Sequence, residues 1–410
     1  MFLYNAWYVA GWSRDITITP LARTLLNEPV VLFRTAEGTA AALEDRCCHR
    51  GMPLSGGEVL GNNIRCEYHG MVFDGSGKCV EIPGQKIIPN NARVRSFPVA
   101  EYDDLVWVWM GDAALADEKK IVRYPWHRAW PYKSKTERID CNYLLLSDNL
   151  LDQTHAAYVH KSTLASNVDA YERAEMKMAP TPDGVKFIRW MLNCIPPGIY
   201  SKAVEFKGRV DRWGEFEYVA PSCILQFTGA MNVGEGAYEH DARDGGFGLR
   251  IFYGITPETE HTSWFIWSTA NSYRQNEPAA TEQLFAEIER AFKEDEDVLV
   301  AQYATLRKLG DRPLINIASD GARVQARLAL ERKIAEERGI PAIRSSPLLE
   351  QFQKSTSPAA IGHAARSNRQ ATEKETRKWQ NASCCCPPPR CSVCCSQAAP
   401  PWRNPNTGRG

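Results

Sequence analysis

The chain lacks an excess of either charge: Lys plus Arg is 49, Asp plus Glu is 49, and its 410 residues carry no net charge. Without a basic surplus there is no electrostatic footprint for nucleic acid, and none is expected as a partner. Long apolar runs are missing too. No stretch approaches the roughly 20 residues that cross a bilayer, so no membrane segment is expected. Met1-Phe2-Leu3-Tyr4-Asn5-Ala6-Trp7 has neither the basic segment nor the apolar core of a secretory signal, which makes the cytoplasm the expected location. No G-x-G-x-x-G follows a strand-like run, so dinucleotide chemistry is expected of another polypeptide. A disulfide framework is also lacking. Of the thirteen cysteines, seven are scattered over the first 223 residues without scaffold spacing, and six crowd between Cys384 and Cys395. A reducing cytosol disfavours bridges, and each cysteine has to be read by itself.

What is present describes a globular protein. Hydrophobic residues make up 44% and charged residues 24%, and the length suits two ordinary domains. Residues 1–118 read as an all-β unit. Short apolar runs such as Val30-Val31-Leu32-Phe33 and Ala40-Ala41-Ala42-Leu43 alternate with Gly, Asn, Asp and Pro, and Leu105-Val106-Trp107-Val108-Trp109-Met110 closes the region as a strand. Residues 119–345 are mixed. A helical pattern covers roughly 142–154, strand-like runs cover 222–227 and 248–253, and long helical patterns come last, near 278–308 and 320–338. Strands gathered first and helices gathered last predict an α+β fold. Residues 346–410, rich in Ser, Gln, Asn, Arg and Pro, are expected to form a disordered low-complexity tail, with metal binding by its six cysteines as the alternative.

Two constellations carry chemistry. Cys47-Cys48-His49 is a C-x-H pair, and Cys66-Glu67-Tyr68-His69 is a C-x-x-H pair. Two thiolates and two imidazoles on short loops suit a 2Fe–2S cluster, the thiolates on one iron and the imidazoles on the other. The same four residues also suit zinc, although zinc sites more often pair Cys with Cys two to four residues apart.

Further on, Asn149, Asp152 and His155 recur at intervals of three after the apolar run Leu144-Leu145-Leu146. On a helix they share a narrow stripe spanning about 120°. His160 lies five residues past His155 and leaves that face unless the backbone bends or unwinds between them. Two histidines and one carboxylate with open positions form the facial triad of non-haem Fe(II) oxygenases, while a histidine pair alone also fits a hydrogen-bonded core. Periodicity locates the carboxylate. Leu284, Ile288, Phe292, Leu299 and Leu306 predict the buried stripe of the 278–308 helix, and within Glu294-Asp295-Glu296-Asp297 only Asp295 falls in its middle. Glu294 and Glu296 lie at its margins, and Asp297 faces away. A carboxylate centred on a buried face is costly unless paired, and iron is a natural partner; the other reading is a solvated charge run.

Together these residues resemble a known family. Cys47-Cys48-His49-Arg50-Gly51 with Cys66-Glu67-Tyr68-His69-Gly70, then Asn149-x-x-Asp152-x-x-His155-x4-His160 with a late Lys293-Glu294-Asp295, resemble the two signatures of Rieske-type non-haem iron aromatic oxygenases over about residues 1–340. The similarity is to the vanillate O-demethylase, dicamba O-demethylase and toluenesulfonate methyl-monooxygenase branch. It implies an N-terminal all-β Rieske domain, then a catalytic domain with an antiparallel sheet flanked by helices. It implies a 2Fe–2S cluster on Cys47, His49, Cys66 and His69, and one Fe(II) on His155, His160 and Asp295. Asp152 would bridge His155 to His69 of a neighbouring subunit in a homotrimer, with Asn149 beside the iron. The partners implied are O₂, a substituted aromatic acid and a separate NADH-dependent flavin and 2Fe–2S reductase. The chemistry implied is monooxygenation at a methyl or methoxy carbon, with ring dihydroxylation as the alternative. A pure Rieske electron-transfer protein would leave His155, His160 and Asp295 unused. Where the family usually has Pro, this chain has Cys48, and spacing keeps Cys47 as the ligand. Tyr68 takes a position that respiratory-chain Rieske proteins give to a disulfide cysteine, which implies the lower-potential, oxygenase type of centre.

Overall fold

The computed structural model describes residues 1–161, 170–171, 173–310 and 312–340. The 346–410 tail lies outside the described residues.

Short antiparallel strands build the N-terminal region in three small sheets. The first joins β1 (Trp7–Trp12), β11 (Leu105–Trp109) and β10 (Val99–Tyr102). The second runs in the order β2 (Leu21–Leu25), β3 (Glu28–Arg34), β4 (Ala40–Glu44) and β9 (Ser96–Phe97). The third runs β5 (Glu58–Leu60), β6 (Asn63–Arg65), β7 (Val72–Phe73) and β8 (Cys79–Glu81). Strand β4 leads into the loop of Cys47 and His49, and the β6–β7 connection carries Cys66 and His69.

A seven-stranded antiparallel sheet comes next. Its order is β12 (Tyr132–Ile139), β18 (Ser263–Asn271), β17 (Phe247–Pro257), β16 (Cys223–Asn232), β15 (Val210–Val219), β14 (Gly184–Cys194) and β13 (Glu175–Thr181). From β13 to β18 each strand pairs with the next in sequence, so this is a meander. β12 then closes the far edge beside β18. The expected runs at 222–227, apart from its first residue, and 248–253 are parts of longer strands, because interior positions let each strand pair on both sides. Helix α1 (Trp126–Ala129) precedes the sheet, α2 (Tyr143–Leu151) and α3 (Ala156–Val159) come after β12, and α4 (Gly198–Ala203) after β14. The long α5 (Pro278–Leu309) packs on β12 and β18, and α6 (Gly321–Glu337) packs on β14. Proline opens α5, where its missing N–H costs nothing, and Gly310 at φ 67° ends it. Among the described residues no helix is long and apolar enough to cross a membrane.

The helix expected over 142–154 stops at Leu151. Asp152 is extended (φ −112°, ψ 97°), and its carboxylate accepts from the Thr154 N–H at 2.9 Å and the Thr154 hydroxyl at 2.6 Å. Asp152 therefore caps a new 3₁₀ turn, Gln153–His155, that runs into α3. A short polar side chain that can bond backbone two residues on competes with helix continuation. The chain thus unwinds before His155, where a break between His155 and His160 was expected.

The N-terminal strands are anchored on the catalytic sheet. Trp7, Trp107 and Trp109 share one buried cluster with Phe252 of β17 and Ile266 of β18. Nearby, the His127 Nδ1–H donates to the Asp103 carbonyl at 2.6 Å, and Nε2 accepts from the Ser268 hydroxyl at 2.6 Å. Both bonds suit the neutral ring, and burial, partly offset by that carbonyl, lowers its pKa below the ordinary 6.5. The unfolded chain therefore binds more protons below about pH 6.5, and this contribution to stability is lost as pH falls through the folded value. His127→Gln should lower the melting temperature at pH 7.5. That gap from wild type should narrow by pH 5, as monitored by circular dichroism.

Candidate metal centres

The two cysteine–histidine loops are local copies of each other. In each, the Cys N–H donates to a methionine carbonyl five residues on, and the glycine four residues on donates back to the Cys carbonyl. The distances are 2.8 and 3.0 Å for Cys47, Met52 and Gly51, and 2.8 and 3.1 Å for Cys66, Met71 and Gly70. Gly51 and Gly70 sit at φ 73° and 74°, a left-handed turn that a side chain would strain. This geometry buries both cysteines and leaves both histidines exposed. Their imidazole centroids lie 4.5 Å apart. Burial pushes the Cys47 thiol up to about 11, the His49 N–H pulls the other way, and the adjacent Cys66 thiol adds to the rise. Two neighbouring buried thiols resist ionisation unless a cation neutralises them, and the paired imidazoles complete a 2S/2N donor set. The donor set fits a Rieske cluster. Cys48, half-buried, packs in the same apolar cluster as Cys79.

The second centre assembles α5 against the chain after α2. His155 Nε2 and His160 Nε2 stand 3.3 and 3.4 Å from the same Asp295 oxygen, and the three donor atoms lie within 4.8 Å of one another. Asp295 is 4% exposed, while Glu294 and Glu296 are half-buried and Asp297 is exposed, as periodicity predicts.

Tautomers sharpen the picture. His155 Nδ1 meets the Asp152 backbone carbonyl, which can only accept. His160 Nδ1 lies 2.8 Å from a Glu294 carboxylate oxygen. Both Nδ1 atoms are therefore donors, and in the neutral rings both Nε2 lone pairs point at a carboxylate. Such a set is repulsive without a cation between its members. A proton or a metal ion supplies it. Where protons supply it, burial alone would raise the Asp295 carboxyl, but hydrogen bonds from the protonated His155 and His160 rings and their charge hold it at about 2. Burial would lower His160, and Asp295 and Glu294 outweigh it. Asn149 donates Nδ2–H to Asp295 at 3.1 Å, while its buried Oδ1 has no hydrogen-bond partner among the described residues. Convergent lone pairs beside a buried carboxylate and an orphaned carbonyl oxygen fit a divalent cation.

Three points depart from the sequence reading. Asn149, Asp152 and His155 do not share one helical stripe. The Asp152 group that holds His155 is its backbone carbonyl, and its carboxylate bonds Thr154 and, at 3.4 Å, the Ser319 hydroxyl. Glu294, placed at the margin of the helix, is the carboxylate that orients His160. Glu294→Gln keeps the shape but weakens the grip on Nδ1–H, so Fe(II) affinity should fall about 10–100-fold without change in the visible spectrum of the cluster. Equilibrium iron titration against a chelator measures this.

A cavity opens beside the triad, between the sheet and α5. Its wall includes Gln226 and Thr228 of β16 and Leu249 and Ile251 of β17. It also includes Arg189 and Met191 of β14.

Known proteins share both halves. The chain matches the Rieske [2Fe-2S] domain family over residues 6–98 and the vanillate O-demethylase oxygenase C-terminal domain family over residues 139–336. A toluene-4-sulfonate monooxygenase system iron-sulfur subunit of Comamonas testosteroni is 39% identical over 343 residues, covering 83% of this chain and 99% of that one. A vanillate O-demethylase oxygenase subunit of Pseudomonas sp. (strain HR199) is 34% identical over 82% of this chain and 96% of its own. A crystal structure of dicamba monooxygenase bound to 3,6-dichlorosalicylic acid superposes with a TM-score of 0.77 at 32% identity, covering 82% of this chain and 99% of that one.

Proposed function

The chain belongs to the Rieske-type oxygenase components of the vanillate O-demethylase family, and from that premise we propose that it oxidises a methyl or methoxy carbon of a substituted aromatic acid. It is the oxygenase component of a multi-component system and carries a 2Fe–2S cluster and a non-haem iron. In our reading residues 1–118 form the Rieske domain and 119–345 the catalytic domain. Cys47, His49, Cys66 and His69 hold the cluster, and His155, His160 and Asp295 hold the iron. The reductase is an NADH-dependent flavin and 2Fe–2S protein, the assembly a homotrimer and the location cytoplasmic. Exposure of His49, Tyr68 and His69 on one loop pair supports docking of that surface against a neighbouring subunit.

The observation that carries the reading is the convergence of two Nε2 lone pairs and the Asp295 carboxylate at the edge of a cavity. When bound, the iron supplies O₂ activation next to the substrate. The rest falls to the chain. The Asp152 carbonyl and the Glu294 carboxylate fix the tautomers of His155 and His160. Asn149 holds one Asp295 oxygen, and the apolar residues of β17 and α5 exclude water from the reacting carbon. Oxygen uptake with a reductase, NADH and a panel of methyl- and methoxybenzoates tests this. Formaldehyde release from a methoxy acid, or a hydroxymethyl product from a methyl acid, is expected. Ring diols as the sole products would contradict it.

A further inference from the structure

We propose that Arg189 is the specificity-determining residue of the cavity and holds the anionic group of the substrate, a carboxylate or sulfonate. The inference rests on the oxygenase reading for the chemistry after binding, but the binding itself stands on separate observations. Arg189 lies on β14 and is 8% exposed. It lines the cavity that also contains His155, His160 and Asp295. Its guanidinium donates to the Tyr171 carbonyl at 2.7 Å, and among the described residues no carboxylate lies within ion-pair distance of it. A backbone carbonyl leaves most of the five donors of that fork unused and cancels no charge.

The surroundings sharpen the demand. Met191, Ile199 and Leu249 make much of the neighbouring wall apolar. Burial lowers the pKa of the Arg189 guanidinium, with the more distant Asp152 charge opposing. That carboxylate is itself engaged with Thr154 and Ser319. An arriving carboxylate or sulfonate would meet the planar fork with two oxygens and supply the missing charge, an arrangement that arginine makes better than lysine. Arg212 also lines the cavity, in contact with the Tyr171 and Tyr200 hydroxyls at 3.5 and 3.3 Å, and raises the positive potential there. Holding the acid at one wall fixes which end of an aromatic ring reaches the triad. The residue therefore selects both the class of substrate and the carbon oxidised.

The test is calorimetric titration of the iron-loaded protein with 4-methylbenzoate, 4-toluenesulfonate and uncharged 4-methylbenzamide. Wild type should bind at least one of the two acids at least about tenfold more tightly than the amide, as expected for hydrogen bonds to a charged group. Arg189→Gln should weaken that acid about 10–100-fold and leave the amide within a factor of about two. Arg189→Lys should recover part of the acid preference. The two acids separate carboxylate from sulfonate recognition. Should Arg189→Gln not fold, the wild-type preference for acid over amide remains a test. Equal binding of acids and amide by wild type overturns the proposal. So does an equal loss of acid and amide in Arg189→Gln, or no loss at all. Selective binding without oxygen uptake would contradict the oxygenase reading and leave the role of Arg189 intact.

Discussion

Asp295→Ala should reduce reductase-supported oxygen consumption to background while the visible spectrum of the Rieske domain stays at full intensity. The carboxylate is 4% exposed and is the shared partner of His155 Nε2, His160 Nε2 and Asn149 Nδ2. Removing it leaves two imidazoles, too few to hold Fe(II) in a triad. The iron content should fall by about one atom per chain, and the acid-labile sulfide should be unchanged, because the cysteine loops lie on a different sheet. Asp297→Ala provides the control. Its side chain is exposed on the same helix and pairs with Lys293 at 3.2 Å, so its loss should be within experimental error. An essential Asp297 with a dispensable Asp295 would contradict the site.

Asp152→Asn should leave both metals in place and slow product formation about 10–100-fold. The backbone carbonyl at residue 152 still holds His155 Nδ1–H, so the triad keeps its tautomer. Asparagine is as good a cap as aspartate, so the Gln153–His155 turn survives as well. What disappears is the negative charge of the Asp152 carboxylate, on which the coupling of His155 to His69 of a neighbouring subunit, implied by the family resemblance, depends. Mixing chemically reduced variant with O₂ and a bound aromatic acid should show slow reoxidation at wild-type metal content. A wild-type rate would leave Asp152 as a capping residue only.

Much of this site is legible in the chain because its information is local or periodic. The cluster loops are read from C-x-H and C-x-x-H spacing, since each pair folds within five residues. Asp295 is read from a helical stripe whose members Leu284, Ile288 and Leu299 are buried as expected. The α+β class comes from the order of strand-like and helical runs. Three features are not legible in the same way. The helix break at Asp152 looks like uninterrupted helix by periodicity, although Asp152-x-Thr154 is itself a capping pattern that could have found it. Glu294 sits at the helix margin, and only the position of the His160 ring on another segment turns that margin inward. Arg189 depends on which face of β14 looks toward α5, and strand alternation fixes the two faces without saying which one meets the cavity.

The central claim, two different iron centres on one chain, is tested most directly by counting iron, zinc and acid-labile sulfide on the same iron-replete sample. About three irons and two sulfides per chain are expected, falling to about two irons and two sulfides in a His155→Ala, His160→Ala double variant. Zinc in place of iron with no labile sulfide would contradict the cluster. An iron count unchanged by the double variant would contradict the triad.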